Sequence, residues 1–204
     1  MRTLVFLSFV WTSLGAFSQL DTAKYLDEIT AFQEELNEFY SNKETSPLTK
    51  KERKAFSEHR FFKPNLDYIV EAKFERITTI DTVVMGTSAG TKKSYQPYAL
   101  LHFSINGVEC ELTAYQSLRL REMEEYKDYL FLPFKDATSG DDTYGGGRYI
   151  DLKIPDTDTI LLNFNLAYNP YCAYTAGYYC TIPPDNNTLK VSILAGIKAP
   201  ADHH

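Results

Sequence analysis

From Tyr68 onward the chain runs in short stretches that alternate apolar and polar residues, and turn residues separate one stretch from the next. A period of two is typical of strands that bury one face. We predict strands at residues 68–75, 81–87, 98–105, 108–116, 129–134, 148–154, 159–165 and 189–195. Asn106-Gly107 predicts a tight hairpin between two of them. Such spacing predicts a mainly β (α+β) fold, an antiparallel β-sandwich or barrel with an N-terminal helical arm.

The arm rests on two helical patterns. Apolar residues recur at steps of three and four and predict a helix at residues 21–43 with Asp21 as its N-cap. These residues are Leu26, Ile29, Phe32, Leu36 and Phe39. A second, short helix begins either after a Ser46 cap or after Thr49, which would form a capping box with Glu52.

The first residues have the three parts of a secretory leader. Arg2 supplies the positive charge, residues 4–14 form an apolar run, and Ala16-Phe17-Ser18 is a small-x-small cleavage site. The apolar run is too short to cross a bilayer comfortably. We therefore expect cleavage before Gln19, a periplasmic or secreted protein, and no membrane association once the leader is removed. An uncleaved N-terminal anchor is the alternative.

These patterns divide the chain into a signal peptide at residues 1–18, a helical arm at 19–60 and a mainly β domain at 61–204. We expect the arm and the β domain to form one folding unit. The chain carries 21 Lys and Arg against 27 Asp and Glu, a net charge of −6, with no basic stripe. This balance argues against a nucleic-acid partner, because binding to phosphates needs a basic face.

Three cysteines in an exported chain allow one disulfide and one free thiol. Cys110 shares the apolar face of its predicted strand with Val108 and Leu112, so we expect a buried thiol. Cys172 and Cys180 lie in one loop-like segment and are the natural disulfide pair. Metal ligation by these two and a pair of free thiols are the alternatives.

The run Tyr144-Gly145-Gly146-Gly147-Arg148 is the first candidate for function. Successive glycines let backbone amides point into one concavity, and arginine supplies a bidentate fork for an anion. The run lacks the ending of a P-loop, and a strand rather than a helix follows it, so it is not a nucleotide-binding fingerprint. We expect no cofactor. The alternative is a glycine-rich bend that only shapes the backbone.

We predict that at least one of these three glycines has a positive φ and that the bend aims Arg148 toward the loop with Asn169 and Tyr174. Arg148 then binds a ligand, contributes little, or pairs with a buried carboxylate such as Asp136.

Two further segments are candidates. Residues 136–142 crowd carboxylates and hydroxyls, which suits calcium, but the EF-hand spacing is absent, and turn and capping chemistry is the alternative. Because paired His and Cys spacing is also missing, we expect no metal. Residues 168–179 carry five tyrosines, which suit either a small-ligand surface or a disulfide-stapled structural loop.

Four segments, at residues 46–49, 134–149, 163–174 and 180–184, resemble the prokaryotic family catalogued as domain of unknown function 1684. The resemblance covers roughly residues 25–198. Thr181 and Ile182 stand where the family usually has Pro-Leu, and Ile197 stands where it usually has a glutamate, which argues against an essential role for that position here. The resemblance implies no activity, because no function is established for the family.

Taken together, the sequence indicates a non-catalytic binding or structural module for a small polar or anionic ligand. The suspected ligand contacts are Asp136, Thr138, Ser139, Tyr144, Gly146, Arg148, Asn165, Tyr168, Asn169 and Tyr174. The alternative is a hydrolase that uses Asp136, Asp141, Arg148 and Tyr144.

Overall fold

The computed structural model describes residues 19–79 and 81–201. They form a mostly antiparallel β structure, a curled half-barrel sheet with an N-terminal helix, as the sequence predicts. The predicted signal peptide lies outside the described residues. Within those residues, no helix combines the length and the apolar character that a membrane crossing requires.

Within residues 19–79 and 81–201 there are two α-helices and seven strands, besides short 3-10 turns. The helices are α1 (Gln19–Ser41) and α2 (Lys50–Ala55). The strands are β1 (Ile69–Arg76), β2 (Val83–Gly86), β3 (Lys92–Ile105), β4 (Val108–Ser117), β5 (Tyr129–Phe134), β6 (Arg148–Lys153) and β7 (Thr159–Asn163). Residues 120–122 and 124–126 form the two short helical turns that connect β4 to β5.

All strand pairs are antiparallel, in the order β6-β5-β4-β3-β1-β7, and β2 pairs with the first part of β3. A register shift in β3 between Pro97 and Ala99 marks the place where its partner changes from β2 to β1. The predicted Asn106-Gly107 hairpin is confirmed. Both residues have positive φ, 51° and 77°, as a two-residue hairpin turn requires.

The main core lies on one face of the sheet. Its strand side chains include Phe74, Leu101, Leu112, Leu132 and Ile150. Cys110 is half-buried rather than fully buried as predicted, because it lies close to the hairpin at the end of the sheet, where Val108 is 47% exposed.

The predicted strand at residues 189–195 is wrong. Burial does alternate there, with Leu189, Ile193 and Ala195 buried in the main core, so the pattern was real. The carbonyl groups of Ile193 and Ala195, however, accept hydrogen bonds from the Arg148 side chain and not from a neighbouring strand. At Ile193 and Ala195 a side chain therefore satisfies the carbonyls that a sheet partner would otherwise satisfy, whereas Leu189 and Val191 bond to the backbone of residues 135 and 137.

A second hydrophobic cluster, made mostly of aromatic residues, lies on the outer face of the sheet. Its buried members are Met85, Tyr95, Tyr115, Phe131 and Tyr149. Residues 168–188, here called the covering loop, cross this face. The covering loop is held to the end of β2 by a backbone hydrogen bond from the Ile182 N–H to the Gly86 carbonyl, 2.9 Å.

The helical arm packs at one end of this loop. Ile29 and Tyr40 of α1 are buried, whereas Leu26 is 38% exposed, so only part of the predicted apolar stripe enters the core. Asp21 lies inside α1, so its prediction as the N-cap is wrong. The capping box of Thr49 and Glu52 is confirmed at the start of α2.

Candidate functional site

Arg148 and Asp136 form a buried ion pair. Arg148 Nη2 lies 3.2 Å from Asp136 Oδ1, and both side chains are 0% exposed. The guanidinium also donates to the Ile193, Ala195 and Ile197 carbonyls. Burial lowers the pKa of Arg148, and Asp136 opposes that shift. The sequence left three roles open for Arg148. In the structure Arg148 pairs with a buried carboxylate.

The other oxygen of Asp136 organises the acidic loop around it. Asp136 Oδ2 accepts the Thr138 hydroxyl at 2.8 Å and the Ile193 N–H at 2.8 Å. Ser139 Oγ lies at the limit of contact, 3.5 Å from Asp136 Oδ1. Asp141 is exposed and makes no side-chain contact with this network. Among residues 19–79 and 81–201, no three His, Cys, Asp or Glu side chains come together as a metal site would require.

The glycine run forms a backbone bend, and Gly147 is the position in it that other residues would fit least well. Gly147 has φ +89°, which confirms the predicted positive φ. A Cβ there would lie 2.6 Å from Pro183 Cγ and 2.8 Å from the Phe134 carbonyl oxygen. At Gly146 a Cβ would meet only the Tyr144 ring, at 2.3 Å. The bend aims Arg148 into the core and not toward Asn169 and Tyr174, so that part of the prediction is wrong.

The predicted asparagines hold irregular backbone in place. Asn165 Oδ1 accepts the Asn65 N–H and its Nδ2 donates to the Asn65 carbonyl, both at 2.9 Å. Asn169 Nδ2 donates to the Tyr174 hydroxyl and to the Lys198 carbonyl, both at 2.9 Å. Each amide replaces backbone partners that loops leave unsatisfied.

The ten suspected ligand contacts therefore do not meet at one open cavity. Asp136, Thr138, Arg148, Asn165 and Asn169 are all buried and hydrogen-bonded within the protein. Tyr168 is the one member of the ten that lines a large cavity.

That cavity, here called the tyrosine cavity, lies between the outer face of the sheet and the covering loop and has a volume of about 910 Å³. The sheet contributes rings from β3, β5 and β6, and the covering loop contributes the opposite wall. The lining aromatic residues are Tyr95, Tyr129, Phe131, Tyr149, Tyr168, Tyr171, Tyr178 and Tyr179. Four of the five tyrosines of residues 168–179 line this cavity, together with tyrosines from the strands.

Hydrogen bonds fix four of the tyrosine rings. The Tyr95 hydroxyl lies 2.8 Å from Thr181 Oγ1, and the Tyr149 hydroxyl donates to the Thr181 carbonyl. The Tyr129 and Tyr168 hydroxyls both donate to Asp151 Oδ1, each at 2.7 Å. Asp151 is an exposed residue of β6, the edge strand of the sheet. Partial burial of its carboxyl group nevertheless raises the pKa, and the two hydrogen bonds oppose that shift.

One end of the tyrosine cavity is positively charged. Lys92, Lys93 and Arg119 are exposed and line it. The pKa of Lys93 is lowered, first by partial burial and then by repulsion from Arg119. Within residues 19–79 and 81–201, none of the three cations forms an ion pair with a carboxylate.

The covering loop is closed by its cysteines. Cys172 and Cys180 lie at disulfide-bonding distance, with Cα atoms 6.2 Å apart, in agreement with the predicted pair. The Cys180 carbonyl accepts a hydrogen bond from the Ser88 N–H at 2.9 Å, just beyond β2. The pair therefore fixes the tyrosine-bearing loop beside the sheet.

A smaller cavity of about 470 Å³ lies beside the first. Apolar residues dominate its lining, among them Val83, Val84, Ile182 and Pro184, and no cation lines it. The two cavities thus differ in charge as well as size.

The protein-family model described as "Protein of unknown function (DUF1684)" matches residues 54–198. The chain belongs to this family. The solution NMR structure of an uncharacterized protein from Haloarcula marismortui is similar, with 34% sequence identity and a TM-score of 0.70 over 91% of this chain and 100% of that one. A search of the curated proteins found no match. The family match confirms the predicted family. The Haloarcula marismortui structure confirms the fold.

Sequence reasoning missed the sheet side of the tyrosine cavity. Leu130 and Leu132 of β5 are buried in the main core, so the alternating Tyr129 and Phe131 lie on the other face, and neither was a candidate drawn from the sequence. Aromatic residues on a nominally exposed strand face were the available signal, because large apolar surface on that side requires a cover or a ligand. The cationic end carried no comparable signal, since Lys93 and Arg119 are 26 positions apart in the sequence.

Proposed function

We propose that this chain is an exported, non-catalytic domain that binds a small molecule in the tyrosine cavity. The observation that carries the proposal is the cavity itself, about 910 Å³ with aromatic rings on both walls. Small-molecule sites fall mostly between roughly 300 and 1,000 Å³ and combine apolar rings with a few polar groups. A tyrosine ring offers a flat apolar face together with a polar hydroxyl, which suits planar organic molecules and sugar rings.

The rigidity of the walls supports binding. Tyr95 and Tyr149 are anchored to Thr181, and Tyr129 and Tyr168 are anchored to Asp151, before any ligand arrives. Ordering such side chains on binding would otherwise cost about 0.5–1.5 kcal/mol for each rotamer-rich group. A pre-ordered cavity avoids most of that cost, so little side-chain ordering would oppose the binding of a ligand.

The lining also favours binding over hydrolysis. The described lining residues include no His, Asp or Glu, and the one cysteine among them, Cys180, lies at disulfide-bonding distance from Cys172. The hydrolase alternative depends on Asp136 and Arg148, which enclose each other in the interior. Neither residue lines a described cavity, so that alternative has no open pocket around its proposed groups.

The experiment uses the intrinsic fluorescence of the mature protein. The only tryptophan, Trp11, lies in the predicted leader, so a chain that begins at Gln19 emits from tyrosine alone. A library of aromatic and carbohydrate fragments is titrated, and we expect hits that change the tyrosine emission and raise Tm. The Tyr179→Ala variant removes an exposed cavity ring and should weaken these hits with little loss of stability, because Tyr179 is 53% exposed.

The matched control is Tyr25→Ala, because Tyr25 is a half-exposed tyrosine of α1 that does not line the cavity. This variant should bind the hits as well as the wild type. Equal loss of binding in both variants, or no hit at all from the library, would contradict a ligand site in the tyrosine cavity. Export is tested separately by N-terminal sequencing of the native protein, which we expect to begin at or near Gln19.

A further inference from the structure

The pairing of β3 with β4 places two cations together on the aromatic face. Tyr95 of β3 lies opposite Ser117 of β4. Lys93 precedes Tyr95 by two residues and Arg119 follows Ser117 by two, so antiparallel register brings them to the same end of the sheet. Residues two apart on a strand share a face, so Lys93 shares the outer face with Tyr95.

Like charges at one end of a cavity cost free energy unless something negative compensates them. Here the chain itself supplies no carboxylate partner among the described residues, although acidic residues outnumber basic ones by 27 to 21. Arg121, two residues along, does pair with Glu122 at 3.3 Å. No Asp or Glu among the described residues lines the cavity, so all the charged residues of its lining are cations.

Asp151, the carboxylate that accepts two of the tyrosine hydroxyls, does not line the cavity and lies across the sheet from the cations. Asp151 is on β6 and Lys93 is on β3, with β5 and β4 between them. Three strand spacings of about 4.8 Å put these two positions roughly 14 Å apart across the sheet. Because Asp151 already accepts the Tyr129 and Tyr168 hydroxyls, those hydroxyls are not free to donate to an anion at that end.

We propose that the tyrosine cavity binds small organic anions, a flat aryl or pyranose ring that carries one carboxylate or phosphate, with the anionic group on Lys93 and Arg119. This inference rests on the proposed function and assigns its ligand class and orientation. The ring lies over the aromatic residues of β5 and β6, and the anionic group points to β3. An arginine fork and a lysine point charge together suit either oxyanion.

The test compares matched anionic and neutral probes on the mature protein. Phenyl phosphate and benzoate are each titrated beside benzamide, and glucuronate is titrated beside glucose, with tyrosine fluorescence and ligand-observed NMR as readouts. We expect each anion to bind at least about tenfold more tightly than its neutral partner at low salt, and the advantage to shrink as ionic strength rises. The aryl and pyranose arms tell which ring the cavity prefers.

Variants locate the anion. Lys93→Gln and Arg119→Gln should each reduce anion affinity severalfold and leave the affinity for the neutral probes unchanged. Arg121→Gln is the matched control, because Arg121 lies near but does not line the cavity, and it should bind both kinds of probe normally.

The outcomes separate the two proposals. Equal binding of anionic and neutral probes would overturn the anion assignment and leave the ligand site standing. An anion preference that survives in the Lys93→Gln, Arg119→Gln double variant would also overturn it, because the anion would then bind elsewhere. If none of the probes binds, anionic or neutral, this inference is wrong. If the fragment library also gives no hit, the proposed function is wrong too.

Discussion

His59 should make the stability of this protein fall as the pH is lowered toward 5. The imidazole is 6% exposed and lies among aromatic rings, with centroids at 4.3 Å from Tyr40 and 4.9 Å from both Phe56 and Tyr174. Within the described residues, neither of its ring nitrogens has a hydrogen-bond partner. Among the described residues, no neighbouring carboxylate stabilises the protonated imidazole, and burial disfavours it.

The size of the effect follows from the two pKa values. Burial lowers the pKa of His59 from 6.5 to about 4 in the folded protein. The unfolded chain therefore binds the proton more readily, and stability is lost as the pH falls from 6.5 toward 4. At pH 5 nearly every unfolded chain and few folded chains carry the proton, so the free energy of unfolding is lower than at pH 7 by about 2 kcal/mol.

The assay is urea unfolding at a series of pH values between 5 and 7.5, for the wild type and for His59→Phe. Phenylalanine keeps an aromatic ring in the cluster and does not titrate, so the variant should lack the loss of stability that His59 causes at low pH. Subtracting the two curves removes the contribution of Asp151, whose raised pKa acts in the opposite direction. A difference that stays within about 0.5 kcal/mol from pH 7 to pH 5 would refute the claim that His59 is buried and neutral.

Two further substitutions test the buried network. Arg148→Met should lower the free energy of unfolding by about 3–5 kcal/mol, because it leaves the Asp136 charge buried and unpaired. Arg121 is exposed, so Arg121→Met should change this free energy by less than about 0.5 kcal/mol. Urea unfolding measures both. Gly147→Ala should cost about 2 kcal/mol or more, because alanine is strained at φ +89° and its Cβ would meet the Phe134 carbonyl oxygen. Gly145→Ala, whose nearest Cβ contact would be 3.4 Å, is its control and should be neutral or slightly stabilising in thermal melts; equal losses in both glycine variants would contradict a special role for Gly147.

Strand positions could be predicted from the sequence because each depends on a local pattern. The alternation in β1 and in the second half of β3 reports directly which side chains the sheet buries, and the Asn106-Gly107 pair reports the turn. The failure at residues 189–195 has the same origin. The alternation of Leu189, Ile193 and Ala195 reports burial correctly, but a period of two does not say whether a strand or an arginine side chain satisfies the backbone.

The candidate site was harder to predict because its residues come together only through long-range pairing. Arg148 looked functional since arginine in a glycine-rich run is typical of anion sites, and nothing local shows that Asp136 lies within 3.2 Å in the interior. Lys93 beside Lys92 and Arg119 near Arg121 form only short basic pairs in the sequence, which are common on protein surfaces and predict no site. Their proximity depends on the register of β3 with β4, which places Tyr95 opposite Ser117.

The family resemblance and the proposed binding chemistry rest on different residues. The segments at 134–149 and 163–174 contain Asp136, Arg148 and Asn165, whose side chains hold irregular backbone in the interior. Lys93 and Arg119 lie outside all four segments that carry the resemblance. The four segments therefore include residues of the scaffold and part of the loop that walls the cavity, but neither cation at its end. Relatives with the same scaffold and other residues at these two positions would present a cavity of the same shape to ligands of different charge.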